Sequence, residues 1–160
     1  MATEARNTKY RVVQDVLTFA AATGTVFNEG DLVYLITGTG LISVITGTTT
    51  IAQMLGDVQG TQPTTHTTGN GCLTNTYNVY VGRHTCKLIA RDVGAFISNF
   101  TPVYYSTDAQ SFKVASGSET TPIGVIAVNP KENGNVPSGT TVIGTEYEVL
   151  LRNSYALSII

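Results

Sequence analysis

Short apolar runs rich in β-branched residues recur along this chain, separated by polar stretches with Gly, Asn, Asp and Pro. Threonine is the commonest residue, with 26 copies, and Val, Ile and Tyr are plentiful. Such side chains suit a pleated, half-buried surface, so the pattern predicts an all-β fold, a compact barrel or sandwich. The predicted strands lie near residues 11–18, 32–36, 41–45, 50–58, 73–81, 85–90, 103–106, 112–115, 123–129 and 147–152.

The chain also repeats itself, because residues 32–81 align with residues 102–151 at a constant shift of 70 without a gap. Ten of the fifty aligned positions are identical, where composition alone gives roughly three or four. The match predicts two related β modules. We divide the chain into an N-terminal arm at residues 1–12, a first lobe at 13–90 and a second lobe at 91–160, with one compact domain as the alternative.

Both copies place a long polar loop at the same position, residues 61–71 in the first and 131–141 in the second. Gly, Asn and Pro are common in these segments, so we expect long, exposed hairpin loops. Residues 16–22 fit a strand as well as one short helical turn, and residues 92–99 fit a short helix or a loop. Strands with few charges, such as residues 41–45, favour edge pairing with other chains.

Charge is scarce and nearly balanced, with a formal net charge of −2 and 12% charged residues. Between Leu32 and Gly82 the only formal charge is Asp57. This balance indicates neither a nucleic acid nor a membrane partner. The uncharged stretch at residues 32–56 is long enough to span a bilayer, but its glycines and threonines favour strands. The N-terminus has no apolar signal region, and we interpret Cys72 and Cys86 as free thiols of a protein made in the cytoplasm.

Residues suited to catalysis or metal binding are few. Glu146 and Glu148 share one face of a predicted strand, which indicates a solvated face rather than an acid–base pair. A second group consists of two histidines and two cysteines, His66, Cys72, His84 and Cys86. Their spacing matches no familiar zinc pattern, and no third group is placed to orient a Cys–His nucleophile. We therefore predict no metal site, no cofactor, no catalytic residue and no enzyme activity.

Two other β-rich classes of protein fit the chain less well. A trimeric nucleotide hydrolase needs a glycine-rich segment to hold phosphates, and the C-terminal residues 151–160 contain no glycine. A sugar-binding module usually presents tryptophan platforms, and the chain has no Trp. Tyr34, Tyr104 and Tyr105 fall in predicted strands, where we expect them to pack in the core or across strands.

A series of phrases in the second copy resembles the capsid decoration, or cement, proteins of tailed phages. It runs Thr101-Pro-Val-Tyr-Tyr-Ser-Thr-Asp108, Phe112-Lys-Val114, Thr121-Pro-Ile-Gly-Val-Ile-Ala-Val128 and Glu146-Tyr-Glu-Val-Leu-Leu151. In the first copy, Asn28-Glu-Gly-Asp-Leu-Val-Tyr34 resembles the opening phrase. The first copy departs from the pattern, because Ile51-Ala-Gln-Met-Leu-Gly56 stands where an I-G-V-A strand is expected.

The resemblance implies a structural virion protein that binds the outer surface of a capsid and stabilises it. Its partner would be the major capsid protein, and homo-oligomers, trimers above all, are implied. The alternative is a head fibre or host-adhesion module whose long loops make the contact. The polar N-terminus clusters Arg6, Lys9, Tyr10 and Arg11, which we interpret as a capsid-contacting arm or, alternatively, a frayed tail.

Overall fold

The computed structural model describes residues 15–22, 25–64, 76–81, 84–97, 101–127 and 138–152. Twelve strands and one helical turn lie in these ranges. They are β1 Asp15–Ala21, β2 Leu32–Leu35, β3 Leu41–Val44, α1 Thr48–Ile51, β4 Met54–Thr64, β5 Thr76–Val81, β6 Thr85–Ala90, β7 Ala95–Ile97, β8 Pro102–Tyr105, β9 Ser111–Lys113, β10 Gly124–Ile126, β11 Ser138–Thr140 and β12 Glu146–Leu151.

The strands close into two barrels of five strands each. The first barrel has the order β1-β3-β2-β4-β5, and the second has the order β6-β9-β8-β10-β12. In each barrel one pair is parallel, β1 with β3 and β6 with β9, and the other pairs are antiparallel. β7 and β11 form a separate two-stranded sheet. The all-β prediction is therefore confirmed, and the sequence repeat corresponds to two barrels of identical topology.

Strand β6 belongs to the second barrel, because it pairs with β12 and β9. A division of the chain after residue 90 therefore separates one strand from its barrel. The strand bounds place the junction between Val81 and Thr85. β6 lies on the second-barrel side of this junction because its residues 85–89 pair with β12.

Within the aligned residues, the constant shift of 70 is wrong for one of the four strand pairs, β4 with β10. Gly56 pairs with Val33 and Val81, whereas Gly124 pairs with Val103 and Leu151. β4 therefore corresponds to β10 at a shift of 68, although β2 and β5 keep the shift of 70. β1, which precedes the aligned residues, corresponds to β6 at a shift of 69. Val16 pairs with Tyr80, and Thr85 pairs with Leu150, the counterpart of Tyr80. Counted between equivalent positions, Gly56 follows Leu41 by 15 residues, whereas Gly124 follows Ser111 by 13, and α1 lies in the longer segment.

This correction supplies the strand that the first copy was expected to lack. Leu55-Gly56-Asp57-Val58 occupies the position of Ile123-Gly124-Val125-Ile126. Both strands need a glycine at this position, Gly56 in β4 and Gly124 in β10, for a steric reason. A Cβ atom on Gly56 would collide with the backbone carbonyl of Tyr80, and one on Gly124 would collide with that of Leu150.

Two hydrophobic clusters form the core, and one of them joins the barrels. Leu32, Ile45, Ile51 and Met54 of the first barrel, each at most 1% exposed, cluster with the interior of the second. Val33, next to Leu32, belongs instead to the cluster inside the first barrel. Successive residues of a strand point to opposite faces. One face of β2 therefore fills its own barrel while the other face covers the neighbouring barrel.

A pair of aromatic rings repeats in both barrels. The rings of Phe27 and Tyr77 lie 4.7 Å apart, edge to face, in the first barrel. Phe96 and Tyr147 lie 5.8 Å apart in the second, at the equivalent positions. Edge-to-face rings are a favoured aromatic geometry, so the duplication extends from topology to side-chain packing.

Several local predictions need correction. Residues 61–64 continue β4 and residues 138–140 form β11, so the polar loops at 61–71 and 131–141 are shorter than expected. Residues 65–71 and 131–137 lie outside the described ranges, and Thr141 is buried. The segment at 16–22 is strand, the segment at 92–99 contains β7, and the predicted strand at 50–58 begins with α1. β3 is not an edge strand, because it lies between β1 and β2.

Across the part of the chain described here, no helix has the length and apolar character that crossing a bilayer requires.

Candidate functional site

A buried contact between a carboxylate and an imidazole lies at the junction of the two barrels. The carboxylate of Asp57 on β4 contacts Nε2 of His84, which immediately precedes β6. Both residues are 8% exposed. The ring of Tyr80 on β5 lies 5.9 Å from the imidazole, measured between ring centroids. Asp57, the only formal charge in the first barrel after Leu32, therefore contacts the second barrel.

Cys86 lies two residues beyond His84 and is a free, half-buried thiol. Burial raises its pKa well above the ordinary value, and the negative charge of Asp57 raises it further. The thiolate is the nucleophilic form of cysteine, so this environment makes Cys86 unreactive. The Nε2 atom of His84 is engaged by the carboxylate of Asp57.

The other members of the predicted histidine and cysteine group, His66 and Cys72, lie outside the described residues. Within the described ranges, no group of three or more His, Cys, Asp or Glu side chains is placed to hold a metal ion. Of the two strand glutamates, Glu146 is exposed and Glu148 is half-buried. Glu148 lies directly opposite Lys87 on β6, a favourable cross-strand charge pair.

A cleft of about 300 Å³ also lies where the barrels meet. Its lining residues are Asn28, Asp31, Ile89, Arg91, Asp108, Ala109 and Gln110. The side chain of Gln110 spans the junction, and its Nε2 donates to Oδ1 of Asp31 at 2.7 Å and to the carbonyl of Glu29 at 3.3 Å. The backbone of Leu32 donates to the carbonyl of Ala109 at 2.9 Å.

The two carboxylates of this cleft already have partners. Oδ2 of Asp31 accepts from the backbone N–H of Asn28 at 2.8 Å. Arg91 donates to Asp108 at 3.2 Å, and the backbone of Gln110 donates to Asp108 at 2.9 Å. Burial raises the pKa of Asp108, but the hydrogen bonds from Gln110 and Arg91 outweigh it and leave the pKa below its ordinary value. Gln110 therefore bonds across the junction, whereas the Asn28–Asp31 and Arg91–Asp108 contacts each lie within one barrel.

Large apolar side chains are exposed on both barrels. The first barrel exposes Val16 at 42%, Leu17 at 51% and Val26 at 77%. The second exposes Val93 at 66%, with Val142 and Ile143 both at 59%. We call the latter three residues the tip patch. Val93 and Val142 flank Gly94 and Thr141, whose backbones are hydrogen-bonded at 3.0 Å.

The predicted capsid-contacting residues Arg6, Lys9, Tyr10 and Arg11 lie outside the described residues. The junction residues were not foreseen as a site. One feature of the sequence pointed to this site, because Asp57 is the single formal charge in a fifty-residue stretch. A lone charge among apolar strands must find a partner if it is buried, but nothing local in the sequence points to His84.

The fold and site define a class of protein, a tandem β-barrel whose ionisable groups join its two halves. No protein-family model matches the chain, and no curated protein matches it in sequence.

Proposed function

We propose that this chain is a structural virion protein that binds the outer surface of a tailed-phage capsid and stabilises it. It is made in the host cytoplasm, attaches to the major capsid protein as a homo-oligomer, with a trimer favoured, and catalyses no reaction. One observation carries the proposal. Each barrel exposes large apolar side chains, whereas His84 contacts Asp57 and Gln110 contacts Asp31 across the junction of the barrels. Such a surface favours protein contacts over chemistry.

The residues behind the family resemblance support this proposal. They include β8, β9, β10 and β12, and their equivalents in the first barrel have the same topology. A rigid barrel present twice in one chain offers repeated contacts to a symmetric lattice. Individually weak contacts gain affinity when they are linked in this way.

The tip patch gives the proposal a direct test. Purified protein is added to capsids that lack it, and occupancy is measured by electron microscopy. Lysine in place of Val142 and Ile143 puts two charges on the tip patch, and an apolar contact would have to remove water from them at a cost in free energy. The double substitution should therefore reduce occupancy. Thr120→Lys, on an exposed threonine of the same barrel, is the matched control. Density over every capsomer junction supports a cement protein, whereas sparse projecting density favours the fibre or adhesion alternative.

The arm hypothesis has a separate test. Deletion of residues 1–10 removes Arg6, Lys9 and Tyr10, and the same occupancy assay compares the shortened and full chains. Reduced occupancy would support an arm that binds a capsid neighbour, and unchanged occupancy would eliminate it. Turnover of a nucleotide or glycan by the purified protein would overturn the structural proposal as a whole.

A further inference from the structure

The cleft between the barrels contains a buried carboxylate whose hydrogen-bond partners are neutral. Asp31, which immediately precedes β2, is 7% exposed and lines the cleft. Its two oxygens accept from the side-chain amide of Gln110 and from the backbone N–H of Asn28. Within the described ranges, no Lys, Arg or His side chain forms an ion pair with it. Burying an ionised carboxylate is costly unless an opposite charge compensates it.

The first barrel has no basic residue that could supply this charge. Residues 12–82 contain four acidic residues and no Lys or Arg. One of the four, Asp57, contacts His84. On the second-barrel wall of the cleft, Arg91 is paired with Asp108 at 3.2 Å, so this pair adds no net charge. The cleft therefore has an excess negative charge, which attracts cations.

The duplicated fold forms the same backbone contact without a carboxylate at this position. The carbonyl of Asp31 accepts from the backbone N–H of Val58, and the carbonyl of Thr101 accepts from that of Ile126. Val58 and Ile126 occupy equivalent positions, so Asp31 and Thr101 are equivalent as well. The second barrel places an uncharged threonine there. The charge of Asp31 is therefore a feature of the cleft and not a requirement of the barrel.

The other properties of the cleft fit an aliphatic chain that ends in a cation. Its volume of about 300 Å³ lies at the small end of ligand-binding clefts, which span about 300–1,000 Å³. Ile89 and Ala109 give it apolar lining, along which lysine and arginine can lay their methylene stems. An organic cation fits better than a metal ion, because the described residues place no group of three or more His, Cys, Asp or Glu side chains around one.

We infer that the cleft binds an ammonium or guanidinium group on an aliphatic stem, with Asp31 as its counter-charge. Gln110 donates to Oδ1 of Asp31 at 2.7 Å and positions the carboxylate. A carboxylate has about four acceptor sites, and Gln110 and Asn28 use two of them, so two remain for the cation. The same chemistry occurs in a Lys or Arg side chain of a partner protein and in a free polyamine.

NMR of the full chain tests this inference through its backbone amide shifts. The probes are N-acetyl-lysine methylamide, its arginine counterpart and its norleucine counterpart, which has an apolar chain without the charge. At about 10 mM a site with a dissociation constant near 1 mM is almost saturated. The lysine and arginine probes should shift the amides of Asn28, Asp31 and Gln110. The norleucine probe should bind about tenfold more weakly or less, which corresponds to about 1.4 kcal/mol.

Two variants separate the charge of the cleft from the charge of the whole protein. Asp31→Asn removes the charge at nearly constant size and should weaken the lysine probe about tenfold or more. Glu146→Gln removes the same charge from an exposed residue that does not line the cleft, and its binding should match that of the wild type. If Asp31→Asn does not fold, Asp31→Thr, which copies Thr101, takes its place.

Equal binding of the norleucine and lysine probes would overturn the inference, and this comparison needs only the wild type. Unshifted cleft amides at about 10 mM, or undiminished binding to a folded Asp31 variant, would overturn it as well. Spermidine and a pentapeptide of alanine with a central lysine distinguish the two sources of the cation. Tighter binding of the peptide supports a partner protein, and tighter binding of spermidine supports a free polyamine. No capsid is present, so failure here is distinguishable from failure of the proposed function.

Discussion

The pairing of Asp57 with His84 predicts strong energetic coupling between the two barrels. Asp57→Val copies Val125, the residue at the same position of the second barrel. His84→Leu removes the imidazole and keeps a side chain of similar size. Together with the double variant and the wild type, these proteins form a double-mutant cycle that measures the coupling between the two side chains.

The structure sets the expected magnitude. Both side chains are nearly inaccessible, at 12% for Asp57 and 6% for His84. Removing one partner of a buried pair costs about 3–5 kcal/mol, because the other charge stays buried, whereas replacing both with apolar residues is often neutral. Each single variant should therefore lose about 3 kcal/mol or more. The double variant should lose less than the sum, with a coupling energy of about 2 kcal/mol or more.

Urea unfolding at pH 7, followed by circular dichroism and tyrosine fluorescence, measures the free energy of unfolding of all four proteins. The barrels share a core, so we expect a single transition. The Arg91–Asp108 pair at the same junction is the control. Its side chains are 39% and 45% exposed, and its coupling should not exceed about 1 kcal/mol. If the two losses at Asp57 and His84 add within about 0.5 kcal/mol, the reasoning is refuted.

Three further predictions follow from other residues. Gly56→Ala and Gly124→Ala should each lower the free energy of unfolding by about 1–3 kcal/mol or more, because the added Cβ meets a backbone carbonyl; unchanged urea midpoints would contradict this steric clash. The pKa of Asp108 lies below its ordinary value in the folded protein, so its ionised form contributes stability at neutral pH that is lost as the pH falls through the folded pKa. The stability difference between wild type and Asp108→Asn should therefore shrink on acidification in urea titrations, and a constant difference would count against it. Burial raises the pKa of Cys86, so in a Cys72→Ser background a thiol reagent should label it slowly at pH 8 and rapidly in urea; fast labelling of the folded protein would disprove this.

Local sequence pattern predicted most of the strands. β6 begins and ends at the predicted residues 85 and 90, and β2, β3, β5, β8 and β12 fall within one to three residues of expectation. These strands combine β-branched or aromatic residues with turn residues at both ends, so short-range preferences define them. β7 and β11 were missed because both lie in segments interpreted as loop or helical turn, residues 131–141 and 92–99. Such short strands exist only through pairing with each other.

The site was much less accessible to sequence reasoning. The sequence offers His84 as a metal ligand beside Cys86, whereas its partner is Asp57, twenty-seven residues away. Contacts of this kind are decided by packing between distant segments, which no local pattern encodes.

By itself, the sequence determined that the chain is all-β, that its module occurs twice, and that chemistry-bearing residues are few. Tertiary structure alone decided that each module closes through one parallel pair, that β4 shifts by two residues against its counterpart, and that Leu32, Ile45, Ile51 and Met54 join the barrels. The physical reason is the range of the interactions. Strand propensity and turns act over a few residues, whereas barrel closure, register and the shared core follow from burying apolar surface between residues far apart in the chain.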